Sequence, residues 1–192
     1  LPSRWLNNRH ALSLTTLLLS SLALDDTHAA DMPITVETRR VVWLERFTQY
    51  VHWPKDHRVQ NLEQPFTLCV AGDPAFFTLV DALIAPRRIR QKTVRPLPLS
   101  GGETSDDCDA AFIGSASVSD FDRWLLLSRQ ENILLVSATA GLAERGAHIN
   151  MYEEQGLQKF EINNVSAQQS GLLIDARLLS AGRPVRSKEA RP

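Results

Sequence analysis

Residues 66–74 read Phe66-Thr67-Leu68-Cys69-Val70-Ala71-Gly72-Asp73-Pro74, and this stretch restricts the fold more than any other. Six uncharged residues suit a buried strand, Gly72 permits a tight turn, Asp73 is a good N-cap and Pro74 fits the first helical position. The stretch predicts a strand running directly into a helix that ends near Ile84. A β-α unit of this kind brings the chain back for a parallel strand, and parallel sheets need both faces covered.

The alternation recurs downstream. Thr93 to Leu99 reads as a strand that Pro96 and Pro98 confine to an edge, and Cys108 to Gly114 as a buried strand. Ser117, with Asp120 three residues later, predicts a capped helix through about Leu127, before a fourth strand at Ile133–Val136. Gly141 to Gly146 reads as a loop or one helical turn. Ile149–Glu153 and Leu157–Ile162, joined through Gln155-Gly156, predict a β-hairpin. Asn164 then caps a final helix to about Ser180, ended by Gly182 with Pro184 beyond. Upstream, Val36, Trp43, Leu44, Phe47, Tyr50 and Val51 recur at helical spacing, and Pro54 stops that helix near Trp53. The expected fold is α/β, a three-layer α/β/α sandwich with a mainly parallel, mixed sheet. One domain over residues 34–183 and a flexible tail over 184–192 are expected, within the size of a single domain.

The N-terminus reads as an address. Arg4 and Arg9 precede an uncharged run from Ala11 to Leu24, and Thr27-His28-Ala29 offers small residues for a signal peptidase. Residues 1–29 are expected to be a cleaved signal peptide, with an uncleaved anchor as the alternative. Fourteen residues fall short of the roughly 18–20 that span a bilayer, so no membrane insertion is expected after cleavage. Export implies an oxidising compartment, in which an even number of cysteines implies pairing. Cys69 and Cys108 are the only two, and a disulfide between them is expected over two buried thiols. Twenty-one Lys and Arg against 22 Asp and Glu leave a net charge of −1, which disfavours nucleic acid as a partner.

Catalytic signals are sparse. The sequence has no Gly-x-Ser-x-Gly elbow, Walker loop or dinucleotide fingerprint, and no cofactor or metal site is expected. His52 and His57 flank Asp56 and read as a metal pair or as loop histidines. Asp106, Asp107 and Asp109 around Cys108 read as calcium or acid/base carboxylates, or as a solvated loop. The basic stretch Arg87 to Arg95 suits an anionic partner or a solvated connection. Trp53 either closes a core or lines an apolar pocket. An enzyme would have to assemble its site from dispersed residues such as His52, Asp56 and His148.

Several stretches together resemble the YfiR-type periplasmic proteins. They are Phe47-Thr48-Gln49-Tyr50-Val51-His52-Trp53-Pro54, the strand from Phe66 to Pro74, Cys108-Asp109, and Phe160-Glu161-Ile162-Asn163 with Leu178-Leu179. The resemblance covers about residues 37–185. It implies a non-enzymatic periplasmic inhibitor that binds the periplasmic domain of an inner-membrane diguanylate cyclase and represses cyclic di-GMP synthesis. It further implies release by an outer-membrane OmpA-like lipoprotein, a homodimer, and a structural disulfide matching Cys69 and Cys108. Some members carry a second cysteine pair where Ala140 to Tyr152 has none. Tyr50, Trp53 and Arg90 are the expected partner- or ligand-binding residues, chosen on residue type. A small-ligand sensor serving a histidine kinase or other membrane receptor is the alternative reading.

Overall fold

The computed structural model describes residues 35–100 and 102–187. The expected signal peptide and residues 188–192 of the expected tail lie outside the described residues.

Helix α1 (Val36–Gln49) is capped by the Thr35 hydroxyl, which accepts from the Thr38 N–H, and buries Val41, Leu44, Phe47 and Thr48. It ends four residues before the expected stop near Trp53, because the chain turns at Tyr50 into a short strand, β1 (Val51–His52). A 3-10 turn (Arg58–Gln60) leads to β2 (Phe66–Ala71), every residue of which is buried. Helix α2 (Pro74–Ile84) follows, with the Asp73 carboxylate accepting from the Phe76 N–H as the sequence predicts. The basic stretch folds as a hairpin of β3 (Arg88–Ile89) and β4 (Lys92–Leu99).

Then come β5 (Ala110–Ile113), α3 (Phe121–Glu131), β6 (Leu134–Ser137) and the single turn α4 (Leu142–Arg145). Helix α3 starts later than expected, because Ser115–Asp120 forms a 3-10 turn and Asp120 makes no side-chain cap. Ser117 is fully buried there and caps nothing. The hairpin of β7 (Ile149–Glu154) and β8 (Leu157–Ile162) turns through Gln155 and Gly156, both at positive φ as a two-residue turn of this hand requires.

The expected single final helix is instead three elements: α5 (Asn164–Gln169), β9 (Leu173–Ile174) and α6 (Ala176–Ala181). Gly171 ends α5 in the left-handed region at φ 70°, where a Cβ would stand 2.4 Å from Asn132 Nδ2. The cap of α5 is Asn163, not Asn164. Leu173 and Ile174 are strand and not helix, paired antiparallel with β1. Residues 183–187 run beside β8: β10 (Arg183–Pro184) pairs with it, the Val185 N–H donates to Ile162 O, and Ser187 Oγ meets Asn163 Nδ2.

Eight strands make one sheet in the order β10-β8-β7-β6-β5-β2-β4-β3, parallel except for the β3–β4 and β7–β8 pairs. Alternate residues feed two cores, as a pleated strand requires. Leu68, Val70, Ala110, Phe112, Leu134 and Val136 face α1 and α2. Cys69, Ala71, Ala111, Ile113 and Leu135 face Phe121, Trp124 and Leu125 of α3. Helices on both faces give the three-layer α/β/α architecture. The disulfide joins Cys69 and Cys108, whose Cα atoms are 5.7 Å apart, and ties β2 to the entry of β5 in the α3-side core.

Candidate functional site

In an open α/β sheet, ligands usually sit beyond the carboxyl ends of the strands, where neighbouring strands send their connections in opposite directions. Here that point lies between β2, which leads to β4, and β5, which leads to β6. It is shut. A Cβ on Gly72 would stand 2.4 Å from Ser117 Oγ, and one on Gly114 would stand 2.6 Å from Asp73 Cβ and 2.9 Å from Gly72 O. The two loops touch backbone to backbone over the crevice.

The histidines and carboxylates flagged in the sequence are engaged elsewhere. His148 is fully buried: its Nδ1 accepts the Leu135 N–H at 3.0 Å and its Nε2 lies 3.1 Å from Ser170 Oγ. With Nδ1 an acceptor, the neutral ring carries its proton on Nε2 and donates to Ser170. Ser170 Oγ in turn lies 3.1 Å from Ser128 Oγ, which donates to Leu125 O. Protons run away from the imidazole, so Ser170 is not an activated nucleophile. Burial pushes His148 down to about 3, with Arg129 adding to the effect.

His52 lies 4.0 Å from Asp175, whose own pKa is held down at about 2, chiefly by the hydrogen bond from Arg177. His57 Nδ1 accepts the Val59 N–H and its Nε2 meets Glu131 O. Asp109 accepts from Arg58 Nε at 2.8 Å and the Thr67 N–H at 2.7 Å, and Asp107 pairs with Arg95 at 3.3 Å. His52, His57, His148, Asp107 and Asp109 are thus each held by a structural partner, and His52 and His148 share none among the described residues. Among those residues, too, there is no group of three or more His, Cys, Asp or Glu arranged to hold a metal ion.

Of the three residues chosen by type, Trp53 and Arg90 come together and Tyr50 stands apart from them. Trp53 is only 5% exposed and packed edge-on against Phe66 at 5.8 Å, so its ring is part of the core. Arg90 lies over that ring at 5.5 Å and donates to Val51 O at 3.1 Å and Thr48 O at 3.4 Å. It does so from a strained position, since Arg90 and Gln91 form the β3–β4 turn at φ 50° and 67°, where glycine or asparagine is usual. The guanidinium therefore clamps the carboxyl end of α1 and the start of β1 to the hairpin. Burial lowers its pKa, but it stays charged at any working pH.

Tyr50 is half-buried and borders a groove of about 800 Å³ between α1 and α6. One wall presents Trp43, Arg46 and Tyr50, and the other presents Arg177, Leu178 and Ala181, with Arg87 nearby. Arg46 lies 5.6 Å over Trp43, and Arg177 lies 5.2 Å over Tyr50. Sequence reasoning missed this groove, because its walls are some 130 residues apart and meet only when β9 pairs with β1.

Comparison with known proteins agrees with this architecture. A solved structure, a conserved domain protein from Vibrio cholerae, aligns with a TM-score of 0.55 at 11% identity over 78% of this chain, a likeness of fold. The chain spans 60% of that protein's length. No curated protein matches. A model described as YfiR/HmsC-like matches residues 39–183, the span from α1 to β10 just described, and the chain belongs to the YfiR/HmsC-like family.

Proposed function

We infer that this protein is a periplasmic, non-catalytic regulator that binds the periplasmic domain of an inner-membrane diguanylate cyclase and represses cyclic di-GMP synthesis. The observation that carries the reading is the family match over residues 39–183, which supports a periplasmic regulator of this class. The Cys69–Cys108 disulfide is consistent with an oxidising compartment, and no helix among the described residues is long and apolar enough to cross a membrane.

Regulation by binding has a thermodynamic requirement. An inhibitor shifts an enzyme only by the difference between its affinities for the inactive and active states. Moving the cyclase from 99% active to 99% inactive takes a preference of about 10⁴-fold, or about 5.5 kcal/mol. An outer-membrane OmpA-like lipoprotein that competes for the same surface releases the enzyme by mass action, and a homodimer would present that surface twice. Tyr50 is the contact residue of the three selected by type. Trp53 and Arg90 act beneath it as the clamp that holds the end of α1 in place.

Isothermal titration of the exported protein against the cyclase periplasmic domain tests the reading. Binding at micromolar concentration or tighter is expected, with lower cyclic di-GMP output from the full-length cyclase in membranes. Absence of binding at those concentrations overturns it.

A further inference from the structure

We propose that the groove between α1 and α6 docks an extended acidic segment of a protein partner. The proposal deepens the regulatory reading and rests on it for the identity of the protein that supplies the segment. Three arginines and one carboxylate line the groove. Glu45 is committed to Arg87 at 2.8 Å, and Arg177 engages Asp175 at 3.0 Å. Arg46, exposed in the last turn of α1, makes no ion pair among the described residues. The groove therefore carries a positive charge that the fold leaves unbalanced, on a chain whose formal net charge is −1.

The cations are also pre-positioned. A guanidinium lying flat on an aromatic ring keeps its N–H edges for in-plane acceptors such as carboxylates, and the ring restricts its rotamers before a partner arrives. Arg46 on Trp43 holds such a fork open, whereas on the opposite wall Arg177, stacked on Tyr50, has its Nε and Nη2 edge taken by Asp175. Residues 42–50, the end of α1 and its C-cap, advance about 12 Å along the groove, the reach of about four extended residues. Alternate side chains of such a segment recur every 6–7 Å on one side, so acidic and apolar residues in alternation would place a carboxylate by Arg46 and apolar groups against Leu178 and Ala181.

The test uses the exported protein and a fluorescein-labelled hexapeptide of alternating Glu and Leu, with a Lys-Leu counterpart, followed by anisotropy at low salt. The Glu peptide is expected to bind at least tenfold more tightly than the Lys peptide and to weaken as salt rises. Arg46→Glu should cost it tenfold or more and Arg46→Gln about threefold. Arg123→Glu, on α3, should leave affinity unchanged. Equal affinity for the two peptides, no binding of either at millimolar concentration, or indifference to both Arg46 variants overturns the proposal. Titration with the cyclase periplasmic domain in the same buffer separates the two claims. Binding of the domain without a preference for the Glu peptide removes the groove alone, whereas preference for the Glu peptide without binding of the domain removes the regulatory partner and leaves the groove.

Discussion

Acidification should weaken this fold through one side chain, His148. Its ring is sealed from solvent, its Nδ1 accepts the Leu135 N–H and its Nε2 donates to Ser170. A second proton would have to sit on Nδ1, facing another N–H. The folded ring therefore titrates at about 3, whereas in the unfolded chain it titrates near the ordinary 6.5. Between those values the unfolded state binds the proton and the folded state does not, so stability falls as pH falls, by at most about 1.4 kcal/mol per pH unit. From pH 7 to pH 5 the loss is about 2 kcal/mol, a drop in Tm of roughly 4–8 °C for a domain of this size. Asp175 titrates below that range at about 2, and His57, lowered mainly by burial, adds a loss of the same sign.

The comparison that isolates His148 is His148→Asn, whose Oδ1 takes the place of Nδ1 as acceptor for Leu135 and carries no titrating proton. Ser170 loses one partner and keeps Ser128, so the variant should be less stable at pH 7 by about 1–2 kcal/mol. Urea melts of both proteins at pH 7, 6 and 5 give the readout. That deficit should close or change sign as pH falls to 5, because only the wild type loses the roughly 2 kcal/mol tied to His148, while His57 acts on both. A deficit that stays constant with pH refutes the reasoning, since the ring would then not be the origin of the acid sensitivity.

Replacing both cysteines by serine opens a loop with a sequence separation of 39, and the chain-entropy relation gives a loss of about 4 kcal/mol, measurable as a lower urea midpoint; an unchanged midpoint contradicts it. Pro96 and Pro98 lie two residues apart on β4, and β3 covers only Lys92 and Thr93 of that strand. Their missing N–H groups must face the open side, which blocks pairing with another chain. Pro96→Val with Pro98→Val should therefore cause concentration-dependent self-association in sedimentation, and a sedimentation profile like the wild type's counts against this account of the edge. Gly72→Ala, at φ 68° with its new Cβ 2.4 Å from Ser117 Oγ, should cost 2 kcal/mol or more by thermal melting, and a cost below about 0.5 kcal/mol would mean the loops over the strand ends are not in tight contact.

Local signals in the sequence were strong where a few adjacent residues decide the geometry. Asp73-Pro74 after an uncharged run marks β2 and α2 to the residue, and Gln155-Gly156 marks the hairpin. Other features depend on residues far apart in the chain. Leu173 and Ile174 become a strand because His52 and Val51 offer them partners, and Gly171 must be glycine because Asn132, 39 positions earlier, occupies the space a side chain would need. For Trp53 the sequence leaves a core ring, a pocket lining and a binding residue all open, since a tryptophan before a proline in a polar loop does not decide between them. Only Phe66 beneath it and Arg90 above it reveal the role, and Arg90 reaches it from a turn whose strain no residue pattern announces. The groove arginines were visible individually, but Arg46 and Arg177 become one site through the β1–β9 pairing.

These constraints fall on different parts of the sheet and leave recognition a restricted place. The carboxyl ends of β2 and β5, where an α/β sheet ordinarily takes a ligand, are closed by Gly72 and Gly114. The β4 edge lacks the donors that would let another strand add to it. The wall formed by α1 and α6 is unlike either, with cations stacked on rings and one arginine free of ion pairs among the described residues. Its geometry depends on where α1 ends, and Arg90 fixes that end through Thr48 O and Val51 O. A strained turn is a costly way to hold a helix terminus unless the position of that terminus matters. On the proposed docking the clamp supports the binding surface without Trp53 or Arg90 touching a partner: Arg90 holds the end of α1, next to Tyr50, through Thr48 O and Val51 O.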